Sequence, residues 1–426
     1  MNKIKLDLGN EEFIHEVLPN GLEVYIHSNP CNEGYYLTLN TKYGSLYKKF
    51  KHVSEKDYNE TPDGVAHFLE HLTFKTPDGD ASEIFPTLGS NGNAYTSTDV
   101  TCYEIWGHDN YEDNLNFLLD FVQTPFYNEE LVENERGIIA EEVKMYEDHP
   151  DRRINNLVNQ AIYHKDRRKN LVAGNLEDVS KISLEDITKA YDYFYEPSNM
   201  FVIITGNIDV DKILEIIKNN QEAKNIAKKE EVIREDEIEP DTVPVPKKTY
   251  KEQIEIDRGY FIIKLPLSKF KDCSKNEIAV YYNTLLTIHF GETSILREKL
   301  INERLITTGI YATPVITDDH VLIFTEVESE HIEETLKYIK EEFKHFDVSE
   351  EEINRKKKLM IRAYITLFDN MYRVNDFIRK GILRNNEVIT NCLELYNSVN
   401  PKTAKFFINA IDLSNTSELI FKSDKK

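Results

Sequence analysis

The sequence predicts an α+β chain built as two related domains, and three observations lead there. At 426 residues the chain exceeds what one hydrophobic core organises, and two domains of roughly 200 residues are the expectation. Strand-like and helix-like segments follow one another in both halves. The second half also repeats the order of the first, which reads as a diverged duplication.

In the first half, Gly21–Ile26 alternates after an Asn20-Gly21 turn and Gly34–Leu39 follows Pro30, so both read as strands. Gly64–Phe74 reads as a helix. A Gly/Asn-rich turn over Gly89–Asn93 then opens a strand from Ala94 to Gly107. Helices are expected near Tyr111–Gln123 and Glu129–Glu147, the second stopped by Pro150, and Met200–Thr205 is a buried-strand run. From Asn225 to Tyr250 mixed charge gives way to Pro240, Pro244 and Pro246, which reads as an interdomain linker. The predicted division is therefore 1–224, a linker at 225–250, and 251–426. In the second half a strand-then-helix pair at Val321–Phe346, the Val348–Ile353 segment and a closing strand at Leu419–Phe421 echo the first. Under that pairing Glu142 falls opposite Ala363, so only the first half can hold a metal site.

Composition excludes several function classes. With 40% hydrophobic residues, 24 Tyr and 21 Phe, the chain has ample core material and is not a disordered polymer. A net charge of −23 argues against nucleic-acid binding, which needs a basic face, and reads first as a solubilising surface. Met1–Glu11 lacks the apolar core of a signal peptide, and no apolar run is long enough to span a membrane. Cys31, Cys102, Cys273 and Cys392 lie far apart and form no C-x-x-C pair, so the cytoplasm is the expected compartment.

The chemistry concentrates in Val65–Leu72. His67 and His71 stand at i and i+4, which puts both imidazoles on one helical face within reach of one ion. Zinc accepts imidazole nitrogen and keeps an open position when the protein supplies three ligands. Glu70 stands beside that position and is placed to take a proton from the attacking water. In Glu135–Glu142 two carboxylates stand seven residues apart on one helical face. Glu142 could complete the site, with Glu135 behind it orienting a histidine.

Inverted from the common zincin order, His67-Phe68-Leu69-Glu70-His71 is an inverzincin motif. With Pro62–Ala66, Asn91–Ser97, Glu135–Glu142, Met145–Pro150 and Tyr195–Met200 in the same order, the first half resembles the pitrilysin/insulinase family. The likeness is to its short bacterial branch, related to mitochondrial processing peptidase. The resemblance implies that each domain is a mostly antiparallel sheet with helices packed against it. It also implies that His67, His71 and Glu142 bind zinc and that Glu70 is the base. Asn93, Ala94, Tyr95 and Thr96 would be the edge strand on which a peptide lies. An arginine and a tyrosine seven residues apart in the second domain would reach the oxyanion; Arg304 and Tyr311 have that spacing, with Arg297 as the competing arginine. Relatives of this length pair as a homodimer, or as a heterodimer with a chain lacking the zinc motif, and enclose a chamber. The implied activity is zinc endopeptidase cleavage of unfolded peptides, with leader-peptide removal from ribosomally made peptides as one task. General oligopeptide degradation and a non-catalytic scaffold subunit are the alternatives.

Overall fold

A computed structural model describes residues 1–9 and 11–424. Seven strands form the first sheet: β1 (Asn2–Lys5), β2 (Glu12–Val17), β3 (Glu23–Ser28), β4 (Tyr35–Thr41), β5 (Ser90–Thr96), β6 (Thr101–Gly107) and β7 (Met200–Gly206). Their order is β1-β2-β3-β7-β4-β6-β5, antiparallel throughout except for β3 beside β7. Leu37, Leu39, Tyr103, Ile105, Val202 and Ile204 make one face of this sheet apolar, and they join the core that holds the helices. Those helices include α1 (Val65–Thr73), α2 (Tyr111–Gln123) and α3 (Glu129–Asp148). In α3 the residues Val132, Ile139 and Val143 fall at helical spacing and are buried.

The next helix, α4 (Pro150–Ile162), begins at Pro150, a proline tolerated at a first helical position because its missing N–H is unpaired there anyway. Pro150 therefore opens a helix as well as ending one. The second sheet contains β8 (Lys247–Glu252), β9 (Arg258–Pro266), β10 (Tyr311–Ile316), β11 (His320–Glu328) and β12 (Thr416–Ser423), in the order β8-β12-β9-β11-β10. Its one parallel pair is β8 with β12. This is the order and sense of β3-β7-β4-β6-β5, so the duplication is present in the topology. Helices α5 (Lys275–Phe290) and α6 (Ile332–Lys344) join the core on one face. On the other, Ile154, Val158 and Ile162 of α4 pack with Tyr260, Ile262, Leu322 and Phe421.

Two findings depart from the linear reading. The chain forms two compact units, one of residues 1–146, 170–236 and 365–390, the other of 147–169, 237–364 and 391–426. The boundaries fall inside α3 and α7 (Glu350–Leu367), so α4 joins the second sheet while α8 (Met371–Asn385) joins the first. Composition marks exposed chain and cannot say on which sheet an amphipathic helix buries its apolar side. The 225–250 segment also carries two strands, Val232–Arg234 paired with Lys49–His52, and β8. Second, Ala94–Gly107 is not one strand. Ser90–Asn93 already belong to β5, and the reversal comes at Ser97–Val100, where Ser97 Oγ accepts the N–H groups of Asp99 and Val100. Gly92 is a strand residue whose missing side chain leaves room for the Phe85 ring, which a Cβ there would meet at 2.3 Å.

Candidate metal centre

Helix α1 starts where only glycine fits. Gly64 precedes it at φ 90°, and a Cβ there would meet Ala173 O at 2.3 Å. Phe68, Leu69 and Leu72 then anchor the helix in the core, which leaves His67, Glu70 and His71 turned toward α3 and the sheet edge. The two imidazole rings lie 4.6 Å apart between centroids. From α3, Glu142 brings one carboxylate oxygen to 3.7 Å from His67 Nε2 and the other to 3.4 Å from His71 Nε2. Donor atoms of His67, His71 and Glu142 all lie within 4.8 Å of one another, the sole group of this kind among the described residues. Ligands about 2.0–2.2 Å from a tetrahedral ion stand roughly 3.3 Å apart, so the donor set fits zinc with little adjustment.

The surroundings of the cluster are specific. Glu135 accepts from His71 Nδ1 at 2.9 Å, and its other oxygen lies 3.3 Å from Lys75 Nζ. Tyr146, one turn beyond Glu142, donates its hydroxyl to that carboxylate. Thr96 Oγ1 donates to Glu70 Oε2 at 2.6 Å and so links the edge strand to the glutamate of the motif. Lys75, Tyr146 and the Thr96 contact were not foreseen from the sequence. The i, i+4 spacing of Glu142 and Tyr146 was a usable signal for the second of them.

Electrostatics in the metal-free chain are uneven. Burial, reinforced by His71, holds His67 down at about 4. Burial also opposes a charge on His71, but Glu135 and Glu142 outweigh it and bring the imidazole up to about 9. Bonding to His71 draws Glu142 down to about 2 against the pull of burial, with Tyr146 assisting. Burial raises Glu70, and Thr96 only partly offsets it. The carboxylates that favour a proton on His71 also favour a bound cation.

The remaining residues singled out in the sequence lie as follows. Asn93, Ala94, Tyr95 and Thr96 lie on β5, which pairs with β6 alone and is the edge of its sheet. Glu141 is exposed and paired with Lys144 at 2.6 Å, away from the cluster. Arg304 and Tyr311 belong to the second compact unit, where Arg304 is an exposed residue at φ 58° and Tyr311 opens edge strand β10, 62% exposed. Arg297 is on the short helix Ile295–Asn302 and donates to Glu292 O at 3.2 Å.

A His-His-Glu donor set beside a buried carboxylate, under a free sheet edge, is the layout of a metal-dependent hydrolase. Comparison with known proteins gives the family. The family description "Insulinase (Peptidase family M16)" matches residues 52–175, and "Peptidase M16 inactive domain" matches residues 181–360. The chain is 35% identical over 292 residues to YmfH of Bacillus subtilis, described as an uncharacterized zinc protease, with 68% of each chain covered. The chain belongs to the insulinase (M16) peptidase family. An M16-like peptidase from Alicyclobacillus acidocaldarius superposes with a TM-score of 0.91 at 26% identity, covering 99% of this chain and 100% of that one. The periplasmic protease PqqL of Escherichia coli shares the fold, with a TM-score of 0.76 at 18% identity; it covers 100% of this chain but 48% of PqqL. Among the described residues no helix is long and apolar enough to cross a membrane.

Proposed function

We propose that this chain is a zinc-dependent endopeptidase for unfolded peptides, with His67, His71 and Glu142 holding the metal and Glu70 as general base. One observation carries the reading. Three donor atoms converge within 4.8 Å, and the buried carboxylate of Glu70, on the same helix as two of them, is tied to the sheet edge through Thr96. Zinc held by His67, His71 and Glu142 would supply the Lewis acidity that activates water and a peptide carbonyl. The chain's own residues do the rest. Glu135 fixes the His71 ring through Nδ1, so that Nε2 faces the cluster. Tyr146 steadies Glu142. Glu70 takes the proton of the attacking water and returns it to the leaving amine, a role that its burial-raised proton affinity suits. Asn93–Thr96 offer an unpaired backbone edge on which a peptide adds as a strand. Arg304 and Tyr311 of a second copy of this chain would donate to the oxyanion across a closed chamber; in a heterodimer with a related chain lacking the zinc motif, that chain supplies the donors instead. Leader-peptide removal from ribosomally made peptides is one task within this reading and general oligopeptide degradation is the other, and product mapping separates them. Four free cysteines among the described residues suit a cytoplasmic setting.

The test is Glu70→Gln, which keeps shape and removes the proton acceptor. Zinc content stays at the wild-type level while peptide turnover falls about 10²–10⁴-fold. Cleavage at a near wild-type rate refutes the assignment.

A further inference from the structure

The sheet that ends in β5 has two unlike faces, and the chemistry above uses only one. Directly opposed residues share a face, so Thr96 with Thr101, and Ala94 with Tyr103 and Leu39, look toward α1 and the core. Asn93 with Glu104 and Thr38, and Tyr95 with Cys102 and Asn40, look the other way. A peptide laid along Ser90–Thr96 turns alternate side chains to that second face. Helix α8 covers its inner part. Thr38 Oγ1 donates to Asn375 Oδ1 at 3.1 Å, and Thr205 Oγ1 donates to Met371 O at 2.9 Å. Arg379 stacks over the Tyr95 ring at 5.5 Å and lies 3.7 Å from Cys102 Sγ.

Glu104, partly exposed, sits toward the edge on this face. One of its oxygens accepts from the Tyr36 hydroxyl, and the other accepts from Asn93 Nδ2 of the edge strand at 3.5 Å. No lysine, arginine or histidine nitrogen among the described residues makes an ion pair with it; Arg379 is held by Asp376 at 2.8 Å instead. Aromatic rings stand alongside. Tyr36 lies 4.5 Å from Tyr372 and 6.4 Å from Trp106 between centroids, and Tyr372 is 40% exposed. A carboxylate with spare acceptor capacity, close to a tyrosine that is itself exposed, suits an organic cation.

We propose that Glu104 is a specificity-determining residue that selects a lysine or arginine side chain of the peptide opposite Asn93. The proposal rests on the reading of Ser90–Thr96 as the substrate strand. An added strand lies two strand spacings, about 9.6 Å, from β6, a gap that the long stem of a basic side chain and the Glu104 side chain span between them. Thr96 touches Glu70 and Asn93 is three residues away, roughly 10 Å along the strand. The selected side chain therefore belongs about three residues from the cleaved bond.

The experiment uses one cleavable peptide with lysine, norleucine or glutamate substituted in turn at each position flanking the scissile bond. The full-length protein should prefer lysine over norleucine at one such position by about three- to tenfold in kcat/KM, the scale of a half-exposed ion pair with ring contacts. Glu104→Gln, which still accepts from Tyr36, levels the two peptides. Glu104→Lys turns the preference toward glutamate. A lysine preference unchanged in Glu104→Gln, or no such preference in wild type, overturns the proposal. Failure of the peptidase reading looks different, since no peptide is then cleaved. In that event fluorescence polarisation with the same labelled peptides decides. Equal binding of lysine and norleucine forms overturns the role of Glu104, and a lysine preference abolished by Glu104→Gln supports it.

Discussion

Replacing Glu239 should cost more than any surface substitution in the second compact unit. Its carboxylate meets Lys264 Nζ at 2.6 Å, with side chains 1% and 0% exposed, and it accepts the N–H groups of His164, Lys165 and Asp166 at 2.9, 2.6 and 2.8 Å. Burial alone pushes this carboxyl up, but Lys264 and the three amides outweigh it and bring it down to about 2 from an ordinary 4.5. A carboxyl lowered by folding contributes its stability in full above about pH 4.5 and loses it as pH falls toward 2. The displacement is worth roughly 3 kcal/mol. In Glu239→Gln the Lys264 ammonium keeps the carbonyls of Ile162 and Thr242 but no counter-charge. Breaking a buried pair from one side costs about 3–5 kcal/mol. Adding Lys264→Met should recover most of the loss, because the remaining glutamine still accepts backbone N–H groups. Urea unfolding across pH 2–7, with hydrogen exchange followed over residues 161–169, measures both effects. A loss below about 1 kcal/mol in Glu239→Gln, or an unchanged slope between pH 4.5 and 2, would refute the argument.

Three further outcomes are expected. His67→Ala, His71→Ala and Glu142→Ala each strip the metal, read by elemental analysis; full occupancy in Glu142→Ala would shift the third ligand elsewhere, with Glu135, already against His71, the first candidate. Tyr146→Phe and Glu135→Gln leave the ligands in place but weaken zinc affinity about 10–100-fold in competition with a chelator, and affinity equal to wild type would mean that these contacts are incidental. Arg304→Ala and Tyr311→Phe each lower turnover about 10²–10³-fold at normal zinc content, and unchanged turnover in both would assign the oxyanion donors to another chain.

The pairing of His67 with His71, and the place of Glu70 between them, was legible because helical spacing is local: i and i+4 share a face wherever the helix ends up. The seven-residue spacing of Glu135 and Glu142 was legible for the same reason. Strands of continuous apolar residues, such as Met200–Gly206, announced themselves through their own composition. The reversal at Ser97–Val100 was missed because the Gly/Asn run nearby looked like the turn, while the actual turn is made by a serine hydroxyl accepting two N–H groups.

By itself, then, the sequence determined which residues share a helical face in α1 and in α3, the residues proposed to carry the chemistry, and that the second half echoes the first. Tertiary structure decided the rest. It set the approach of Tyr146 to Glu142, of Lys75 to Glu135 and of Thr96 to Glu70. It also decided which sheet receives α4 and which receives α8, and so which residues back the strand proposed to hold substrate. Periodicity says that a helix has an apolar side, but the partner for that side is chosen by packing between segments hundreds of residues apart.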